Sequence, residues 1–211
     1  MISKIAYESN DLSSINDISN VYDIYYKSLN SEIKIFEDNE LMKIVAIISF
    51  YRFIDKTNEI QIKQIEEFFN LEVELLWGKV KILNQLEIVD LYENDVVKIS
   101  DQILSTYLFY KVVFIENILD IDLFITNFFL IQNQKLNEVI NPILNSFDFE
   151  LITKKLKISF NQLKKEYKND FDKEYELIKF FWYLDRIGNL VYLKKLIDNL
   201  SNEDIAKINN T

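Results

Sequence analysis

The side chains able to do chemistry in this 211-residue sequence are carboxylates and lysines, because histidine and cysteine are both absent. Two D-x-D patterns, Asp120-Ile121-Asp122 and Asp170-Phe171-Asp172, have the spacing of a divalent-cation site. Both stand just before apolar helical periodicity, where a carboxylate accepts unpaired backbone N–H groups and meets the positive end of the helix dipole. Two carboxylates alone also make a poor hard-cation site, so capping is the expected role. Glu66-Glu67 and the pair Glu72 and Glu74 are of the type used in general acid–base work. No polar pocket is signalled around them, and a solvated face is expected. Without histidine no side chain titrates unperturbed near neutral pH, and without cysteine there is no thiolate nucleophile or soft metal ligand. The two glycines, Gly78 and Gly188, are isolated and cannot form a phosphate-cradling loop. No catalytic, cofactor-binding or metal-binding residue is assigned, and no cofactor is expected.

The remaining polar candidates point to binding. The net charge of −10 is unevenly spread. Residues 1–148 hold 12 Lys and Arg against 24 Asp and Glu, whereas residues 149–211 hold 12 against 10. An acidic surface repels nucleic acid, since binding there depends on cations displacing counterions from phosphates. The later part concentrates lysines: Lys154, Lys155, Lys157, Lys164, Lys165 and Lys168. Relative to Ile152, Leu156, Phe160 and Leu163 they fall mostly on the polar face of one amphipathic helix, a solvated face or a docking surface for an acidic partner. Tyr22, Tyr25, Tyr26, Tyr107 and Tyr110 combine apolar area with a polar tip, which suits half-wet interfaces or partial burial. Trp77 and Trp182 stand at helical core spacing and are expected to be core.

These residues need elements to position them. With 49% hydrophobic and 14% aromatic residues, one proline and two glycines, the composition favours a packed, mainly helical chain. No secretory leader is seen, and the longest charge-free stretch, residues 123–134, is 12 residues long. A membrane span needs about 20 predominantly apolar residues, so a buried helix in a cytoplasmic protein is expected. Ile15, Ile18, Tyr22, Tyr25, Leu29 and Ile33 form an apolar stripe on a first helix that packs on a neighbouring surface. Residues 39–100 then have the order of a winged helix. A helix marked by Leu41, Ile44, Val45, Ile48 and Tyr51 runs to about Asp55, and Glu59-Ile60-Gln61 has the place of a brief strand. A short helix follows, then a tight break at Asn70-Leu71-Glu72 and a third helix with Val73, Leu76, Trp77, Val80 and Leu83 inward. The period then drops to two. Val89 and Leu91 face the core, Glu93-Asn94-Asp95 turns the chain, and Val97 and Ile99 resume, with Asp90 opposite Lys98.

Beyond Ser100 the pattern is helical throughout. Ser100 or Asp101, then Asp120 and Asp122, and Ser201 to Asp204 are the expected caps. Pro142 should bend or interrupt its helix. Helices are expected over 149–168 and 175–184, and Gly188-Asn189 is a plausible helix stop before a restart at Leu190. The fold class is mainly α: a winged helix-turn-helix with one β-hairpin, followed by an irregular helical bundle or α-solenoid. The expected domains are an N-terminal amphipathic helix over 1–38, a winged helix over 39–100 and a helical domain over 101–211.

The segment ISDQILSTYLFYKVVF (99–114) resembles the stretch that leaves the winged helix in bacterial STAND-type P-loop NTPases, signal-transducing ATPases that include antiviral sensors. LNQLEIVDLYENDVVK (83–98) is similar to the third helix and wing of that module. FFWYLDRIGNLVYLKKLI (180–197) looks like the start of its helical sensor region, and ISNVYDIYYKSL (18–29) like the end of its ATPase lid. The resemblance implies a non-catalytic relay with the P-loop and acidic Walker B strand lying upstream. Some relatives contact nucleotide through a winged-helix histidine, which this chain lacks. The implied partners are proteins, either an upstream ATPase domain or other copies of the chain, with Tyr22, Tyr25, Leu29, Lys154, Lys157, Lys164, Lys165 and Lys168 as candidate interface residues. Nucleic acid and membrane are not expected partners. A free-standing winged-helix transcriptional regulator, binding DNA or a partner protein, is the alternative. Against DNA, residues 39–100 carry 7 basic against 11 acidic residues, with Glu72 and Glu74 at the start of the recognition helix and Lys79 and Lys81 only balancing them.

Overall fold

The computed structural model describes residues 37–168 and 170–198. The stripe over 15–33, with Tyr22, Tyr25 and Leu29, and the cap expected after Leu200 lie outside the described residues. The fold is mainly helical with one small antiparallel sheet. It divides into two compact units, one ending at Lys155 and one starting at Leu156.

The first unit is organised around α1 (Asn39–Tyr51), opened by Asp38, whose carboxylate accepts from the N–H groups of Glu40 and Leu41. Leu41, Met42, Ile44, Val45, Ala46, Ile47, Ile48, Phe50 and Tyr51 are all buried, so α1 is covered on every side. Arg52 adopts φ 66°, which stops the helix and turns the chain into β1 (Phe53–Asp55). The brief strand thus lies six residues before its expected place, and residues 59–61 begin α2 (Glu59–Phe69). Two side chains explain the correction. Asn58 accepts from Gln61 N–H and caps α2. The buried Gln61 amide accepts from Asp55 N–H at 2.9 Å and donates to the Phe53 carbonyl at 2.9 Å, supplying the outer edge of β1 with a neighbour that is not a strand.

Asn70, at φ 48°, provides the left-handed turn into α3 (Val73–Gln85). From α3 the chain enters the hairpin β2 (Val89–Tyr92) and β3 (Val96–Ile99), joined by the three residues Glu93, Asn94 and Asp95; Glu93 and Asn94 take positive φ values of 51° and 64°, and Asp95 N–H donates to the Tyr92 carbonyl at 3.0 Å. β3 is central, pairing with β1 through Ile54 opposite Val97 and with β2 through Asp90 opposite Lys98. Trp77 on α3 is buried and donates from its indole N–H to the Asn94 carbonyl at 2.7 Å, tying the third helix to the tip of the wing.

Asp101 caps α4 (Gln102–Tyr110), whose last turns widen into a π-helical segment, Lys111–Ile115. Then follow α5 (Ile121–Phe128), α6 (Asn133–Ser146) and the first turns of α7 (Phe149–Glu166). Residues 123–134 are not one buried helix. α5 ends at Phe128, and Leu130 and Ile131 are exposed in the turn that follows. The apolar side of α1 that the winged helix leaves bare is filled from these later helices: the Phe50 ring lies 6.4 Å from Phe109, 5.0 Å from Phe124 and 4.6 Å from Phe128. The winged helix and the helices up to Lys155 therefore share one core.

Pro142 does not interrupt α6. A proline cannot donate to the carbonyl four residues earlier, here that of Glu138, and the Arg52 guanidinium donates to that carbonyl instead at 3.4 Å. Lysines do the same at helix ends, where carbonyls lack partners. Lys43 donates to Phe69 O at 2.6 Å, Lys135 to Tyr51 O at 3.1 Å, and Lys155 to Phe114 O at 2.7 Å and to Asn117 Oδ1.

The second unit contains the rest of α7, then α8 (Phe171–Phe180), a 3-10 turn Trp182–Leu184 and α9 (Arg186–Asp198). Ile152, Leu156, Phe160 and Leu163 form the buried stripe of α7, as their spacing predicts. The segment expected as a helix over 175–184 starts earlier, at the Asp170 cap, and its end tightens into the 3-10 turn. Gly188 is no stop. It lies in the first turn of α9, where its N–H donates to the Asp185 carboxylate at 3.1 Å and a side chain would strike that carboxylate.

Candidate functional site

The carboxylates that suggested chemistry are mostly structural. Asp120 accepts from Asp122 N–H at 3.0 Å, and Asp170 accepts from the N–H and the ammonium of Lys173. Glu66 accepts from Val73 N–H at 3.3 Å and so completes the start of α3. Among the described residues no group of three or more acidic side chains is gathered as for a metal ion. A small, partly open space lies between α1, α4 and α6, with the partnerless Ser49 hydroxyl, Arg52, Thr106 and Glu138 in its wall. At about 30 Å³ it holds roughly one water.

The helix that a DNA-binding winged helix would place in the major groove is α3, and its outward face is read directly from exposure. Glu74, Leu75, Gly78, Lys81, Ile82 and Gln85 lie at helical spacing and are all exposed, with Glu66 and Glu72 exposed at the N-terminal end. Lys79 is not on this face. Its ammonium sits 3.0 Å from both Asp38 Oδ2 and Glu40 Oε2, an arrangement that raises its pKa, through Glu40 first and Asp38 next. Burial pushes the Asp38 carboxyl up, but the Lys79 ammonium and the N–H groups of Leu41 and Glu40 outweigh it and hold that carboxyl below its ordinary value. The wing is likewise neutralised or acidic. Lys98 pairs with Asp90 at 3.9 Å and lies over the Tyr92 ring, while Glu93 and Asp95 are exposed.

The lysine run separates into two groups. Lys154, Lys157, Lys165 and Lys168 are exposed, and Lys164 is half-buried beside Asp185 at 3.7 Å and over the Phe160 ring. Lys155 points inward to cap the π-helical segment, and burial lowers its pKa. The tyrosines at 107 and 110 are buried, Tyr110 stacking on Phe147 at 4.1 Å, and form no wet surface. Trp182 departs from the expected core position: it is 54% exposed, with the Arg186 guanidinium 4.9 Å from its ring centre. The 3-10 turn causes this, because three residues per turn rotate Trp182 off the buried stripe of α8.

Sequence reasoning also missed apolar residues that the fold leaves outside. Leu75 and Ile82 on α3, and Ile187, Leu190, Val191 and Ile197 on α9, have core-like spacing but are exposed. Periodicity alone assigns such residues inward; only the known direction of the buried face separates the two stripes. No helix among the described residues is long and apolar enough to cross a membrane. No protein-family model, curated protein or solved structure matches this chain.

Proposed function

We propose that this chain is a non-catalytic winged-helix and helical module that works through protein contacts. The observation that carries the reading is the outward face of α3, where Leu75 and Ile82 stand among Glu66, Glu72 and Glu74 while Lys79 is held by Asp38 and Glu40. Duplex binding needs cations facing phosphates, and one exposed lysine, Lys81, cannot offset the carboxylates around it. An apolar stripe with an acidic rim suits a protein partner instead. The resemblance of residues 99–114 to STAND-type ATPases supplies the setting: a cytoplasmic signalling or defence machine, the P-loop provided upstream and the state relayed through contacts.

The test is duplex binding by fluorescence anisotropy near physiological salt, with calorimetry for ATP and ADP. No specific duplex affinity and no micromolar nucleotide affinity are expected. Salt-sensitive duplex binding that Lys81→Ala weakens would favour the regulator reading.

A further inference from the structure

Helix α9 carries apolar side chains on both of its sides. Inward it places the buried Asn189 with the half-buried Tyr192 and Leu193; outward it exposes Ile187 by 79% and Leu190 by 67%, with Val191 and Ile197 beside them. These four recur at intervals of three, one and six residues, which on a helix is one continuous face. A surface helix ordinarily turns a polar face to water, so this face lacks a cover among the described residues. Its rim is mainly basic, with Arg186, Lys194 and Lys195 exposed against one exposed carboxylate, Asp198.

The outward face of α3 is its complement. Leu75 and Ile82 are apolar, Gly78 lies between them with nothing within 4 Å of where a side chain would stand, and the rim at the helix start is acidic. A glycine at such a point forms a notch that lets a second helix approach closely. Both faces belong to every chain, so the chemistry each would select is available in any second copy.

We infer that the chain associates with itself head to tail, the apolar, basic face of α9 in one copy seating on the apolar, acidic face of α3 in the next. The inference rests on the reading of α3 as a protein-binding surface. Two different patches meet, so the contact is heterologous, and each added copy leaves one patch of each kind to continue the assembly. Opposite charges on the two rims set the pairing of α9 with α3 and disfavour α9 with α9 or α3 with α3.

Sedimentation velocity on the full chain over a concentration series tests this. The wild type is expected to gain mass with concentration, and more so at low salt. Leu190→Glu and Glu74→Lys alter exposed positions, and unchanged helical signal and melting show that each variant folds. Each alone is expected to lose self-association by about tenfold or more, the size of effect typical of a central interface residue. Leu190→Glu keeps an intact α3 face and Glu74→Lys an intact α9 face. Their mixture is therefore expected to form a capped one-to-one dimer and nothing larger. A wild type that stays monomeric overturns the inference, as does a mixture that fails to pair. A monomer whose melting falls on Leu190→Glu would mean that the α9 face is covered within its own chain, and also overturns it. Duplex binding separates the layers: monomers that bind no duplex defeat this inference alone, whereas specific duplex binding defeats the reading of α3 beneath it.

Discussion

Replacing Gly78 with alanine should make the protein more stable. Glycine inside a helix costs about 0.5–1 kcal/mol relative to alanine, because the unfolded chain has more conformations to lose. That gain is realised only where the added methyl meets nothing and the backbone is already helical. At Gly78, inside α3, both conditions hold: no heavy atom lies within 4 Å of the new carbon, and φ is not positive. The expected gain is therefore about 1 kcal/mol, which for a chain of this size raises Tm by roughly 2–4 °C. Gly188 is the internal control. There the methyl would strike the Asp185 carboxylate, which must turn away and lose both its bond to the residue 188 N–H and its ion pair with Lys164. A lost N-cap costs about 1 kcal/mol and cancels the propensity gain. Thermal melts of Gly78→Ala and Gly188→Ala are the assay, with denaturant midpoints as a check. At concentrations too low for self-association, a Gly78→Ala protein no more stable than wild type would refute the open placement of that face within the single chain, and equal gains at both sites would refute the Asp185 cap.

Trp77→Ala should cost about 3–5 kcal/mol, since it empties a buried site and leaves the Asn94 carbonyl without its indole donor; chemical denaturation measures this. Lys155→Met keeps the aliphatic stem but removes the ammonium from the Val113 and Phe114 carbonyls, and should cost about 1–3 kcal/mol in the same assay. The lowered Asp38 pKa contributes stability that is complete above the ordinary carboxyl value of 3.8 and is lost as pH falls through the lower folded value. Asp38→Asn should thus flatten the stability–pH curve below that point. Burial, and then the hydrogen bond to Glu174, push the Tyr192 phenol up to about 12, so its stabilisation is complete below 10.0 and is lost as pH rises from there through the folded value of about 12. Glu174→Gln should move one tyrosine transition toward 10 in an ultraviolet pH titration.

Much of the winged helix is legible in the residues because its parts obey short-range rules. The switch from a period near 3.6 to a period of two marks the hairpin, Glu93-Asn94 marks its turn, and Asp101, Asp120 and Asp170 mark helix starts. Trp77 and Leu76 are core, as their spacing requires. What sequence missed depends on partners far along the chain. β1 is three residues long, and its outer edge is completed by a Gln61 side chain, which no alternation pattern encodes. Lys155 reads as one more surface lysine until the carbonyls of Val113 and Phe114 are placed beside it. Pro142 reads as a helix breaker until Arg52, 90 positions earlier in the sequence, takes the bond that proline leaves open. The candidate surface on α3 is half legible: its charges are plain, but Leu75 and Ile82 sit at spacings that fit a core as well as an outer face.

The burial of α1 on every side has a consequence for how such a protein can be assembled over time. A winged helix that closes on itself is a portable cassette, able to be cut out and joined to new neighbours. Here Phe50 packs on Phe109, Phe124 and Phe128, which lie beyond the winged helix, so a cut after residue 100 would strip one side of the central helix. The two pieces would fold together or not at all. Fusions, splits and transplants of this chain must therefore keep the winged helix together with the helices behind it, residues 39–155.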